Sequence, residues 1–338
     1  MATHDIAVVG GGPAGLYVAS LIENALDVVV LERQTIGHKT CSGLISKNIS
    51  RFVDPGSSVE HEISTAFVHS PNGTVAGLKK SAGVYVIDRH AFDRMLAERL
   101  SCNVLTGTAV ERLAINKNGV ALQTSAGTVK AKVVLGCDGA SSVVGRAIGQ
   151  RPAEMLTGLK IIVHGRNESD SVDIFFNGAA AGGFLWRIPR GSGTEYGAMG
   201  PSVKFDDVER FFSVSGKREA APIPVGPCRT FADRALLIGD AAGHTKPWSG
   251  GGVIFGLTAA KAAAITLKRC FDAGDFSAAA LSPYEAAWKN AIGKEIALGL
   301  VGRAVLRDLT DNEMDGLVEK LAKANLEHVD MDFPFSLG

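Results

Sequence analysis

The chain has 338 residues, enough for one large core or two interleaved domains. Lysine plus arginine balances aspartate plus glutamate at 35 each, so no net field draws in nucleic acid or anionic lipid, and no basic tract or base-stacking motif supports a nucleic-acid role. The five cysteines (41, 102, 137, 228, 270) form no CxxC pair and the eight histidines cluster with no acids; this suits a reducing cytoplasm and argues against a disulfide framework or a metal site.

In the opening stretch, MATHDIAVVGGGPAGLYVASLI, glycines and a proline break the apolar run, and Asp5 precedes it rather than a basic region, so no targeting segment is expected. No apolar stretch reaches transmembrane length, which leaves only peripheral contact with a membrane. DIAVVG (5–10) predicts a short strand. Gly10, Gly12 and Gly15 then spell GxGxxG ahead of an apolar helix to about Asn24, and a second strand, DVVVLE, ends at Glu32, an acid 22 residues past the first glycine. Gly10 permits the tight turn, Gly12 lets a pyrophosphate approach the backbone, and Gly15 lets helix pack on strand. The helix N-terminus then offers free N–H groups to phosphate, and Glu32 an acceptor to ribose hydroxyls. The pattern predicts a dinucleotide, NAD or FAD.

KTCSG (39–43) follows, with Cys41 at its centre. A free cysteine is commonly a small buried hydrophobe; the alternative is a thiol set beside a cofactor. IDRHAFDRML (87–96) and the strand VVLGCDGASSVVGR (133–146), ending at the glycine-flanked Asp138, come next. GLKIIVHG (158–165), SVDIFF (171–176), GGFLWRIP (182–189) and TEYGAMG (194–200) are short and β-rich, and predict an antiparallel sheet with a smaller contribution from about 64 to 87. In FLWRIP, Phe184, Trp186 and Ile188 share one face, which is either core or pocket. ALLIGDAAGHTKPWSGGGVIFGLTAAKAAA (235–264) reads as a strand, Gly239-Asp240, a glycine-rich loop and a long apolar helix. In the tail, KEIALGLVGRAVLRDL sets apolar residues 296, 300, 301, 304 and 305 on one side and Lys294, Arg303 and Arg307 towards the other, suited to covering a core or resting on a membrane.

The expected fold class is α/β: a Rossmann-like nucleotide-binding domain (1–63, 88–155 and 226–283) interleaved with an antiparallel-sheet substrate domain (64–87 and 156–225), plus a helical C-terminal region (284–338). The GxGxxG unit, IDRHAFDRML, the DG segment and the GD segment together resemble the FAD-binding segments of the aromatic-hydroxylase-like flavoproteins. That resemblance implies FAD bound by Gly10, Gly12, Ala14, Gly15, Glu32, Arg33, Cys41, Ser42, Gly43, Arg89, Val110, Asp138, Asp240, Gly252 and Val253. In it Asp240 bonds the ribityl chain, while Gly252 and Val253 sit at a helix N-terminus facing the flavin pyrimidine edge. One departure is Arg146, which comes one place later than the family's arginine after the DG segment.

KTCSG, FLWRIP and PWSGGGV, with YEAAW (284–288) and LTDNEMDGL (309–317), are similar to the geranylgeranyl reductase family. The resemblance implies reduction of double bonds in a prenyl lipid by hydride from reduced flavin, with Phe184, Trp186, Ile188 and Trp248 at the lipid and Cys41 near the reacting carbon as a pocket-shaping group or proton donor. Ile188 stands where the family usually has phenylalanine, and the chain is short for the family. No second GxGxxG follows a strand, so the sequence offers no separate nicotinamide domain and does not identify the external donor, for which NAD(P)H and a ferredoxin-type protein both stay open. The alternative is a flavin monooxygenase or halogenase: FLWRIP approaches the halogenase WxWxIP strand and Lys79 or Lys80 is a candidate tunnel lysine, but KTCSG stands where a halogenase has a GxxST-type loop. A non-catalytic flavin or lipid carrier is the third class.

Overall fold

The computed structural model describes residues 3–324 and 326–335, without the side chains of residues 80–82. Its helices there are α1 (Pro13–Ile22), α2 (Arg89–Glu98), α3 (Val143–Ala147), α4 (Phe205–Phe212), α5 (Val253–Ala273), α6 (Ala278–Leu281), α7 (Pro283–Trp288), α8 (Lys294–Asp308) and α9 (Asp311–Lys323). Five parallel strands form the backbone of the first sheet, the expected nucleotide half, in the order Ala235–Leu237, Gly127–Gly136, Thr3–Val9, Val28–Leu31, Asn103–Leu105. The alternation of side chains along a strand divides the core. Ile6, Val8, Val28 and Val30 pack against α1 and α5, whereas Ala7, Val9, Val29 and Leu31 pack against the hairpin formed by Val110–Asn116 and Gly119–Thr124. Covered on both faces, these strands read as unbroken apolar runs.

The second sheet runs Lys217–Val225, Glu154–His164, Gly193–Gly200, Phe184–Arg190, Ser171–Phe175, Val59–His69, Val75–Ile87, Leu44–Ser46. All its pairings are antiparallel except Ser171–Phe175 beside Val59–His69, the junction that stitches the two chain segments together. The sheet reaches back before residue 64: the strand Leu44–Ser46 joins it immediately after KTCSG. Lys217–Val225 carries Pro222 and Pro224, which hide it from the strand pattern; it lies at the sheet edge, where a missing N–H leaves no ladder bond unmade. Trp186 stands opposite Gly197, where an added Cβ would come 2.3 Å from the indole ring. The register places Phe184, Trp186, Ile188 and Arg190 on one face with Lys160, Glu195 and Met199.

The tail closes the molecule. In YEAAW, the Tyr284 hydroxyl donates to the Leu237 carbonyl at 2.7 Å and Trp288 Nε1 donates to Thr230 Oγ1 at 2.9 Å, which fastens α7 to the parallel sheet. Thr310 and Glu313 cap the start of α9 reciprocally. The apolar side expected for α8 is divided: Ile296 is buried and Leu300 half-buried, but Val301 and Val305 are 62% and 55% exposed. The inward face instead runs through Gly299, because a Cβ there would lie 2.5 Å from the Trp248 ring, so the helix turns its side-chain-free edge to the indole. Among the described residues no helix is long and apolar enough to cross a membrane.

Candidate functional site

The glycine turn lies at the end of the central parallel strand. Gly10 adopts φ +107° and donates to the Leu31 carbonyl at 2.8 Å; a Cβ there would sit 2.3 Å from the Cys137 carbonyl oxygen. A Cβ on Gly15 would lie 2.1 Å from the Gly10 carbonyl oxygen, so both positions are closed by backbone. Gly12 differs, since a Cβ there would meet nothing within 4 Å. The space lies before the first turn of α1, whose N–H groups have no intrahelical acceptor. Ala14 is in that turn and packs towards Gly239. Glu32 is held in place: Oε2 accepts from Gly11 N at 2.7 Å and Oε1 from Gln34 N at 2.9 Å. Thr108 N donates to the Glu32 carbonyl at 2.8 Å, which brings the turn before Val110 alongside; the Val110 side chain is buried and Arg33 is exposed.

A second group of residues meets around KTCSG. Lys39 Nζ lies 2.6 Å from Asp240 Oδ2, and that carboxylate holds the ammonium above its ordinary range. Buried Arg89 pairs with Asp93 one turn along α2, at 3.1 Å. Burial opposes its charge, but the pairing with Asp93 keeps the guanidinium protonated. Cys41 is half-buried, and its Sγ accepts from Gly43 N at 3.5 Å. Gly252 caps α5 against Asp240, where a Cβ would lie 2.8 Å from Oδ1; Val253 is the first residue of that helix. Cys41, Ser42, Gly43, Arg89, Asp240, Gly252 and Val253, scattered over more than half the chain, are thus brought to one end of the parallel sheet. Asp138 is engaged elsewhere, accepting from Ser142 Oγ and Val143 N, both at 2.6 Å, at the start of α3. Arg146 donates to the Ser141 carbonyl at 2.7 Å.

Sequence reasoning passed over the charges beneath the loop. Lys160 Nζ donates to the Cys41 carbonyl at 2.9 Å and stands 3.6 Å from Glu195 Oε2 and 3.3 Å from Glu219 Oε2. Arg190 donates to the carbonyls of Ser42 and Ile87, pairs with Glu60 at 2.9 Å and lies 3.8 Å from Glu195 Oε2. Trp186 Nε1 donates to Glu195 Oε1 at 2.9 Å. Glu195 is fully buried, and burial pushes its carboxyl above the ordinary range against the pull of Lys160 and Arg190. Each partner is more than a hundred residues from the KTCSG carbonyl it binds, so no local pattern carries the signal.

Phe184 and Trp248 line one cavity of about 180 Å³ with Met199, Pro247, Arg303 and Met314. Trp186 stands behind Phe184, ring centroids 5.8 Å apart. Ile188 is buried among Ile63, Val84, Val86 and Val172. The chain end packs beside the cavity: Phe335 meets Trp248 edge-on at 5.6 Å, and fully buried Asp332 pairs with Lys246 at 2.7 Å, accepts from Ser46 and accepts from Asn48 at 2.9 Å. Burial opposes the Asp332 charge, but Lys246, Ser46 and Asn48 hold its carboxyl below the ordinary range. The five cysteines are all unpaired.

No family profile matches the chain. It is 29% identical over 366 aligned residues to digeranylgeranylglycerophospholipid reductase 1 of Methanococcoides burtonii, covering 97% of this chain and 90% of that one. The solved structure of a geranylgeranyl bacteriochlorophyll reductase-like protein from Thermoplasma acidophilum superposes with a TM-score of 0.89 at 21% identity, over 98% of this chain and 94% of that one. A probable FAD-dependent monooxygenase from Pseudomonas aeruginosa superposes with a TM-score of 0.71 at 17% identity, over 94% and 100%. Fold and relatives define the class, an oxidoreductase whose fold is that of the geranylgeranyl bacteriochlorophyll reductase-like protein and is shared with a probable FAD-dependent monooxygenase. Within that class the chain is similar along its length to digeranylgeranylglycerophospholipid reductases. The alignment spans nine-tenths of the first-named relative.

Proposed function

We propose that the protein reduces carbon–carbon double bonds in a geranylgeranyl-type polyprenyl lipid, with FAD as bound cofactor and NAD(P)H or a ferredoxin-type protein as donor. The observation that carries this reading is the meeting of Phe184 and Trp248 at one cavity, lined also by Met199, Met314 and Arg303, in a chain similar along its length to prenyl-lipid reductases. The residues present fit FAD: the open space at Gly12 before α1 suits a pyrophosphate, the anchored Glu32 suits ribose hydroxyls, and Asp240 suits a polyol chain. The first turn of α5 supplies partial positive charge, suited to an anionic ring edge.

Bound FAD would supply a hydride to one alkene carbon while the neighbouring carbon takes a proton. The chain's residues have three roles around that step. Phe184, Met199 and Trp248 give the lipid a dry wall and exclude water. Lys39, Arg89 and Asp240 form a polar cluster around the KTCSG loop. Cys41 stands there on a loop with little bulk, where a neutral thiol can donate a proton or simply leave room for a flat ring and a substrate carbon.

The test is anaerobic. Purified protein should be yellow; reduced with dithionite and mixed with digeranylgeranylglycerophospholipid in detergent, it should regain oxidised-flavin absorbance while the lipid gains the mass of two hydrogens per double bond. Reoxidation only with oxygen, yielding a hydroxylated or halogenated product, would replace this reading with the monooxygenase or halogenase one. Of the two candidates for the lysine that reading needs, Lys79 is exposed and the Lys80 side chain lies outside the described residues.

A further inference from the structure

We propose that Lys160, Arg190 and Glu195 are positioning residues that fix the Cys41 sulfur through the backbone carbonyls of its own loop. This rests on the reading above, in which that loop borders the reacting alkene. Three consecutive carbonyls are held by the second sheet: Cys41 by Lys160, Ser42 by Arg190, and Gly43 by Ile87 N at 3.0 Å. The seat is tight. Gly43 adopts φ +70°, and a Cβ there would lie 2.2 Å from the Ile87 carbonyl oxygen and 3.2 Å from Arg190 Nη1.

Buried charges are a poor way to gain stability, because desolvation offsets much of their attraction and apolar side chains of similar volume commonly do as well. What charged donors add is direction. A lysine and an arginine aimed at adjacent carbonyls select one loop conformation, which apolar packing alone does not do. Glu195 is their shared counter-charge, with Oε2 facing both cations and Oε1 accepting from the Trp186 indole. Trp186 and Cys41 are thereby joined through two charged links, so the strand behind the cavity wall and the reacting loop keep a fixed spacing.

The test uses FAD-loaded protein and reads the modification rate of Cys41 by iodoacetamide, followed by peptide mass spectrometry, with half-buried Cys102 as internal reference. The variant Lys160→Met/Glu195→Gln removes one cation and one anion together and keeps an acceptor for the Trp186 indole. A change of about tenfold in the Cys41 rate is expected, the size of a lost charge-assisted hydrogen bond, with Cys102 unchanged and Lys160→Arg close to wild type. In lipid reduction, kcat should fall with KM for the lipid unaltered. An unchanged Cys41 rate in folded, FAD-loaded double variant overturns the proposal. Should that variant not fold, Arg190→Lys serves instead: lysine lacks the fork that reaches both Ser42 and Ile87, so the same rate change is expected, and its absence is equally decisive. If wild type reduces no lipid, the proposed function fails while the alkylation comparison still stands.

Discussion

The two halves of the molecule build their sites from different materials. The nucleotide half uses backbone: Gly10, Gly12, Gly15 and Gly252 matter for the side chains they lack, and the groups they expose are N–H donors at the starts of α1 and α5. The antiparallel-sheet half uses side chains projected from adjacent strands, so that Lys160, Trp186, Arg190 and Glu195 meet only because the register brings them onto one face. A backbone site is broken by adding an atom. A side-chain site is broken by removing one.

The largest expected effect tests the first statement. Gly10→Ala puts a methyl 2.3 Å from the Cys137 carbonyl oxygen at a positive φ, with backbone on every side and nothing flexible to yield. It should abolish recovery of folded, flavin-bearing protein. Gly12→Ala is the sharper half of the pair. Its backbone is extended, at φ −85°, and the methyl meets open space, so the thermal midpoint of the cofactor-free protein should stay close to wild type while FAD affinity falls as the methyl fills the cradle. Equal loss of stability in both variants would break the distinction.

That difference also explains what was legible in the sequence. The parallel-sheet unit follows a local rule, glycines at fixed spacing between a strand and a helix with an acid after the next strand, and every element of it lies within residues 3–32. The strands around Trp186 were legible as well, because alternation is local. The ties between Arg190 and the Ser42 carbonyl, or between Lys246 and Asp332, bridge 148 and 86 residues of chain, and nothing in RIPR or MDF announces a partner. The face of α8 failed for a related reason: apolar periodicity identified candidates for burial, but a contact made by an absent side chain at Gly299 decided the rotation.

The second prediction concerns the chain end, a side-chain site of the removable kind. Asp332→Ala leaves Lys246 buried without its carboxylate and takes away the acceptor used by Ser46 and Asn48. A loss of about 3–5 kcal/mol in urea unfolding is expected. Lys246→Met in the same chain should recover part of it, since the orphaned charge goes as well. If Asp332→Ala alone unfolds at the wild-type midpoint, the chain end does not stabilise the fold.

The third is a pH effect in the nucleotide half. His244 is fully buried and its Nδ1 accepts from Gly239 N at 3.2 Å, so the ring is neutral with its proton on Nε2. Burial pulls its pKa down to about 3. The unfolded chain, with an ordinary histidine near pH 6.5, therefore binds the proton first as pH falls. This contribution is fully present above about 6.5 and is lost progressively down to about 3. Unfolding free energy should drop by about 2–3 kcal/mol between pH 7 and pH 4.5 from this group. A His244→Gln variant that folds should lose that share of the slope; an identical slope would locate the acid sensitivity elsewhere.

The smallest effect is at Trp186→Phe, in the middle of the antiparallel sheet. Trp186→Phe keeps a ring against Gly197 and Phe184 but removes the N–H that Glu195 Oε1 accepts. A buried carboxylate left short of one donor costs about 1–3 kcal/mol, and Lys160 and Arg190 remain to hold its charge, which favours the lower end. Trp186→Ala removes the packing too and should cost about 3–5 kcal/mol. Lipid turnover per flavin-loaded molecule separates the contributions. If the indole only fills space, Phe should match wild type in turnover and Ala should suffer in stability alone. If the link from Trp186 through Glu195 sets the reacting loop, Phe should already slow turnover although its ring still fills the strand face, and the slowing should persist at a temperature where every molecule is folded.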